Sequence, residues 1–167
     1  SEGINGCSAV VFAASATHLR PFGIQGYHPQ SPRFVDCEGV EKLAKACVKT
    51  GVKRMVLISS ADADRDWLWI NMFLNVSMNR LSTWKARGEE ALKKVFREAN
   101  EPLGENDTKW NYVIVRPVFL RDSDSAGPGM IRAHGRDATG YSISRKDVAE
   151  MVAECAASEF PKNTTFN

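Results

Sequence analysis

The sequence predicts an α/β domain organised as part of a doubly wound parallel sheet, and three observations predict it. From Phe34 to Thr50, Val40, Leu43, Ala44 and Cys47 recur at i, i+3, i+4 and i+7, the spacing of one apolar stripe on a surface helix. Two residues after Gly51, the run RMVLISS (Arg54 to Ser60) begins, and Met55 to Ile58 is apolar without alternation, as in a strand covered on both faces. The connection between them is short, and similar apolar runs at Ser8–Ala14 and Trp110–Val115 provide further strands, the arrangement that puts helices on the faces of a parallel sheet.

Each element has a local cause. Ser8–Ala14 is a buried strand whose end is made of small residues; there Ala13, Ala14 and Ser15 either admit a ligand close to the backbone or pack tightly on a helix. Thr17–Pro32, with Pro21, Gly23, Gly26, Pro29 and Pro32, is a long loop that covers a cleft or is simply inserted. Asp36 is an N-cap candidate for the helix that follows, and Gly51 allows that helix to stop in a left-handed turn. After Ser59 and Ser60, the apolar stretch Trp67–Met78 is too short for a bilayer span. It reads as an irregular helix over a cleft, a partner surface, or core.

A helix from Leu81 to Ala99 follows, striped by Leu81, Trp84, Gly88, Leu92, Val95, Phe96 and Ala99, with Glu89 and Lys93 paired on its wet side. Asn100–Lys109 is a polar turn, and Trp110–Val115 is a buried strand closed by Arg116 and Pro117. Ser123–Gly140 is a loop rich in Gly, Pro and charge. Ser144 and Asp147 open a last helix in a capping-box-like pattern, with Val148, Met151, Val152 and Cys155 on one face. Thr164–Asn167 begins one more strand.

Composition excludes more than it selects. The 167 residues are 43% hydrophobic and 25% charged, one ordinary domain's worth of sequence. Twenty-two basic against 20 acidic side chains give a net charge of +2 without long runs of one sign, so neither nucleic acid nor an anionic membrane is indicated as a partner. Cys7, Cys37, Cys47 and Cys155 show no metal-ligand spacing and read as packing residues, His18, His28 and His134 lie in loop-like sequence, and no metal site is expected. No apolar run reaches the length of a transmembrane span.

The runs FVDCEGVEKLAKACVKTGVKRMVLISS, WKARGEEALKK, YVIVRPVFL and SISRKDVAEMVAECAAS resemble, in order, the second half of the atypical short-chain dehydrogenase/reductase family, NAD(P)-binding proteins of Rossmann-like, NmrA-like fold. MNRLSTWKARGEE and ISRKDVAE look most like plastid and algal members, which implies a plastid location, with mitochondrion or cytoplasm as alternatives. The resemblance implies NAD or NADP as cofactor, passing Ala13, Ala14 and Ser15 and bounded by Ser59, Lys85, Arg116 and Pro117. The Gly-rich turn of such folds has no counterpart here, so residues 1–167 are expected to be one partial domain completed by an N-terminal half-domain.

In catalytic members a Tyr donates a proton, a Lys four residues on holds the nicotinamide ribose, and a Ser orients the substrate. Lys85 matches the Lys, and Ser60, or else Ser59, matches the Ser, but the Tyr position is Leu81, which has no proton to give. The resemblance therefore implies an NAD(P)-binding protein that is non-catalytic or weakly catalytic and acts as a structural, assembly or redox-sensing subunit of a larger complex. The alternative is an active NAD(P)H-dependent reductase of a small carbonyl or quinone.

Overall fold

The computed structural model describes residues 2–17, 28–61, 80–104, 108–125, 127, 142–158 and 161–167. The expected segment Trp67–Met78, most of the Thr17–Pro32 loop, His18 and His134 lie outside the described residues. After a short 3-10 turn at Glu2–Ile4, β1 (Ala9–Phe12) leads by way of a wide helical turn at Arg33–Gly39 into α1 (Val40–Thr50) and β2 (Arg54–Ile58). Next come α2 (Leu81–Asn100), β3 (Asn111–Val115), β4 (Phe119–Arg121), β5 (Ser142–Ser144), α3 (Arg145–Ala157) and β6 (Thr164–Phe166).

The order β1-β2-β3-β6 forms one all-parallel sheet, as the sequence predicts. Its register aligns Val56 with Val113 and Leu57 with Ile114. Because side chains alternate across a strand, Met55, Leu57 and Ile114 enter one core with Val40, Ala44 and Cys47 of α1 and Leu92 and Phe96 of α2. Val56, Val113 and Val115 enter another with Val148, Val152 and Cys155 of α3. Two helices on one face and one on the other make the three-layer, doubly wound plan. Leu92 and Phe96 are almost wholly buried, each contributing about 2–3 kcal/mol of transfer free energy.

Helix ends follow local chemistry where the sequence signal is strong. Gly51 closes α1 at φ 77°, a left-handed conformation that costs glycine little. Ser144 caps α3, its Oγ accepting from the Asp147 amide at 3.0 Å. Asn100, the last residue of α2, binds the backbone of Trp110 twice, accepting from its amide at 3.0 Å and donating to its carbonyl at 2.7 Å, which fixes the entry to β3.

Two expectations are corrected. Asp36 does not cap α1. The residue before that helix is Gly39, and Asp36 lies inside the Arg33–Gly39 turn, which has π-helical hydrogen bonding, with its carboxylate buried. Glu89 is not on the wet side of α2; it is 1% exposed and faces Arg116, while Lys93 pairs with Glu90 at 2.7 Å. Phe119–Arg121 and Ser142–Ser144, on either side of the expected Ser123–Gly140 loop, pair in parallel as a second, two-stranded sheet that the sequence did not predict. Cys47 and Cys155 are buried as packing residues should be, whereas Cys7 is exposed and Cys37 half-buried. Burial pushes the Cys47 thiol up to about 11 and those of Cys37 and Cys155 upward.

Among the described residues no helix is long and apolar enough to cross a membrane, and no three His, Cys, Asp or Glu side chains gather to hold a metal.

Candidate functional site

Parallel strands end together, so the residues that follow β1, β2 and β3 share one rim of the sheet. After Phe12 come Ala13, Ala14 and Ser15, all exposed, and then buried Ala16. After Ile58, the Ser59 amide donates to the Val115 carbonyl at 2.8 Å, and the Ala61 amide donates to the Pro117 carbonyl at 3.1 Å. These bonds hold the ends of β2 and β3 side by side beyond the last strand residues. Ser59 is 7% exposed and its Oγ finds no hydrogen-bond partner, an orphaned polar atom of the kind that native interiors rarely leave. Ser60 is half-buried.

Beside this rim lies a buried polar cluster that the sequence analysis did not assemble. Lys85 Nζ donates to Asp36 Oδ1 at 2.8 Å, with the carboxylate 1% and the lysine 12% exposed. Ser15 Oγ donates to the same oxygen at 2.9 Å, and the Ala16 amide donates to Asp36 Oδ2 at 3.0 Å. A carboxylate this deep is tolerable only with such a set of charged and neutral donors. Asp36, Lys85 and Ser59 line, with Phe12, Ala14 and Leu57, a narrow cleft at the carboxyl end of β1 and β2, closed too tightly to hold a water.

The cluster depends on a close approach of backbones. A methyl group on Gly88 would lie 2.0 Å from the Asp36 carbonyl oxygen, so α2 touches the wide turn where it has no side chain. Lys85, three residues before Gly88, lies on the same helix face and so reaches Asp36. Glycine in the α2 stripe was visible in the sequence; that it marks a contact with Asp36 was not.

Of the residues the sequence nominates, Ala14, Ser59 and Lys85 line the cleft together. Ala13 and Ser15 flank it on the exposed strand end, Ser60 follows Ser59 at its rim, and Pro117 is half-buried beside Ala61. Arg116 points elsewhere: its guanidinium donates to both oxygens of Glu89, at 3.0 and 2.6 Å, and to Asn167 Oδ1 at 3.3 Å. Its charge is matched within the fold between α2 and β3. The residues missed were Asp36, which resembles an ordinary capping acid in sequence, and Glu89.

A parallel sheet covered by helices on both faces is the plan of Rossmann-like domains, which take their ligands across the carboxyl ends of the strands. The chain belongs to the NAD(P)H-binding family, whose pattern matches residues 1–159. It is 28% identical over 157 residues to the Saccharomyces cerevisiae protein YMR090W, covering 92% of this chain and 58% of that protein. It is 27% identical over 165 residues to Bacillus subtilis YhfK, by name an uncharacterized sugar epimerase, covering 97% of this chain and 63% of the relative. A solved structure from Bacillus halodurans, named as an NAD-dependent epimerase/dehydratase, superposes with a TM-score of 0.71 at 25% identity, over 99% of this chain and 65% of that one. The chain thus spans about three fifths of the length of the relatives it matches.

Proposed function

We propose that this chain is part of an NAD(P)-binding protein of atypical short-chain dehydrogenase/reductase type that catalyses weakly or not at all and serves as a structural, assembly or redox-sensing subunit of a larger complex. One observation carries the reading. Lys85, in the position where the resemblance places the ribose-holding lysine, is ordered at the cleft by Asp36, while one helical turn earlier Leu81 stands in the proton donor's place.

The residues present fit a dinucleotide. Ala13, Ala14 and Ser15 are small and exposed at the strand end, and the orphaned Ser59 hydroxyl and the Lys85 ammonium line the same cleft. A bound nicotinamide supplies hydride chemistry. What this chain lacks is a side chain to move the accompanying proton from position 81. The orphaned Ser59 Oγ also favours a second reading, an active NAD(P)H-dependent reductase of a small carbonyl or quinone, in which that hydroxyl orients the substrate oxygen.

The test uses the full-length protein: NADH and NADPH are titrated by fluorescence, and consumption is followed with small aldehydes, ketones and quinones. Binding with consumption at the buffer background supports the first reading. Steady turnover on any of these classes overturns it in favour of the second.

A further inference from the structure

We propose that the groove at the amino end of the sheet, between the last turns of α2 and the start of β3, is a second binding site, which takes a small zwitterion of the free amino acid kind. Arg97 holds the carboxylate, Glu101 holds the ammonium, and the apolar body lies along Tyr112. The site is separate from the strand-end cleft and does not depend on the nucleotide reading, since Arg97 lies about 18 Å along α2 from Lys85.

Three observations carry the assignment. The first is space. The groove has a volume of about 490 Å³, within the range of small-molecule sites. Lys93, Arg97 and Asn100 of α2 line one side, and Tyr112 of β3 and Asn163, just before β6, line the other. Its walls are tied together: Asn100 binds the Trp110 backbone twice, and Asn163 Oδ1 accepts from the Tyr112 amide at 3.3 Å. That bond uses the acceptor of the Asn163 side chain and leaves its amide nitrogen as a donor for a ligand.

The second is charge left without a partner. Elsewhere on α1 and α2, opposite charges three or four residues apart close on each other: Lys45 with Glu41 at 2.5 Å, Lys93 with Glu90 at 2.7 Å, and Lys94 with Glu98 at 3.8 Å. Arg97 and Glu101 have the same spacing, yet among the described residues neither side chain makes an ion pair, and both line the groove.

The third is the placing of the two charges. Glu101 follows the last residue of α2, where the carbonyls of a helix end favour a cation, and the planar fork of Arg97 matches a carboxylate. Lys93 is neutralised by Glu90, so the groove offers one positive and one negative charge. A polyanion would meet Glu90 and Glu101, and a simple amine would leave Arg97 unanswered. A zwitterion answers both, and the half-buried ring of Tyr112 gives its side chain an apolar contact.

The experiment titrates the ¹⁵N-labelled full-length protein with phenylalanine, with 3-phenylpropionate, which lacks the ammonium, and with phenethylamine, which lacks the carboxylate. Leucine and methionine serve as further zwitterions. The amino acids are expected to shift the amide signals of Arg97, Tyr112 and Asn163 with a dissociation constant of about 1 mM or tighter. Each one-charge analogue should bind about three- to tenfold more weakly than phenylalanine. Arg97→Gln and Glu101→Gln, at exposed positions, should weaken phenylalanine by the same factor with thermal unfolding unchanged, and Arg97→Gln should leave phenethylamine as it was.

No shift of these signals with any of the amino acids at about 20 mM, shifts that map to another part of the fold, or analogues that bind as well as phenylalanine overturn the proposal. Unchanged phenylalanine affinity in both variants does the same. If a variant does not fold, the comparison of phenylalanine with its two analogues on the wild type decides. Nucleotide binding does not enter any of these readouts, so failure of the NAD(P) reading leaves the test intact.

Discussion

Gly88 of α2 lies directly against the carbonyl of Asp36, so that a methyl group added to it would sit 2.0 Å from that oxygen. Backbone on both sides leaves nothing flexible to yield. In an exposed helix interior, replacing glycine by alanine stabilises by about 1 kcal/mol. Here Gly88→Ala is expected to reverse that sign and destabilise by about 1–3 kcal/mol through overpacking, and to weaken nucleotide binding as α2 and Lys85 move off Asp36. Chemical denaturation measures the first effect and nucleotide titration the second. A more stable Gly88→Ala protein would show that the two backbones are not in contact.

The Glu89–Arg116 pair is buried at both ends, with side-chain exposures of 1% and 9%. Taking away one partner leaves an uncompensated charge in the interior, so Glu89→Ala is expected to cost about 3–5 kcal/mol. Replacing both with apolar residues of similar size, Glu89→Leu with Arg116→Met, should return stability to within about 2 kcal/mol of wild type. A denaturant double-mutant cycle reads the coupling. Single variants that lose less than about 1 kcal/mol would match a solvated pair instead.

Cys47 gives a pH dependence with a definite sign. Its thiol, packed between α1 and the sheet, is pushed up to about 11 from an ordinary value near 9.0. Between those values the unfolded chain has lost the proton and the folded chain keeps it, so the unfolded state binds fewer protons and stability falls as pH rises. The loss from this group develops from about pH 9 to 11 and amounts to roughly 2–3 kcal/mol. Urea titrations across that range should show the decline in wild type and a shallower one in Cys47→Ala. Below pH 8, a thiol reagent should modify exposed Cys7 in the native protein and reach buried Cys47 only on unfolding.

The parts of this fold legible in the sequence are those in which one residue's neighbours in the chain decide its state. Met55–Ile58 is apolar throughout because both faces of β2 are covered, and Gly51 and Ser144 mark helix ends through bonds made within a few residues. The cluster of Asp36, Lys85 and Ser15 is of another kind. An acid early in a helix reads the same whether it caps that helix or reaches Lys85 on a later one, and only the tertiary approach at Gly88 distinguishes the two. Glu89 was misread for the same reason: the i,i+4 rule offers Lys93, but the buried partner comes from the end of β3. Strands β4 and β5, with three residues each, are too short for periodicity to register. The family resemblance nominates Ser59 beside Ser60, but its unpartnered hydroxyl appears only once the neighbouring strand end is in place.

The vacancy at Leu81 is open to direct repair. Leu81 is the first residue of α2, half-buried, and Lys85 follows one turn later, so side chains at the two positions share a face of the helix. A tyrosine there would place a phenol along the face from which Lys85 reaches the cleft, and a neighbouring ammonium favours the phenolate, the state a proton donor must pass through. Leu81→Tyr is therefore expected to leave nucleotide affinity within about threefold of wild type, since it leaves Lys85 in place, and to raise carbonyl or quinone reduction above the wild-type level by about 10²-fold or more, the lower range for a positioned acid. The gain should vanish in Leu81→Tyr combined with Lys85→Met, and its rate should fall on the alkaline side as the phenol is lost. Stopped-flow oxidation of NADH or NADPH in the full-length protein measures it. A variant that binds nucleotide and gains no rate would mean that residue 81 does not face the reacting carbon, and that the correspondence with the family's proton donor fails in this chain.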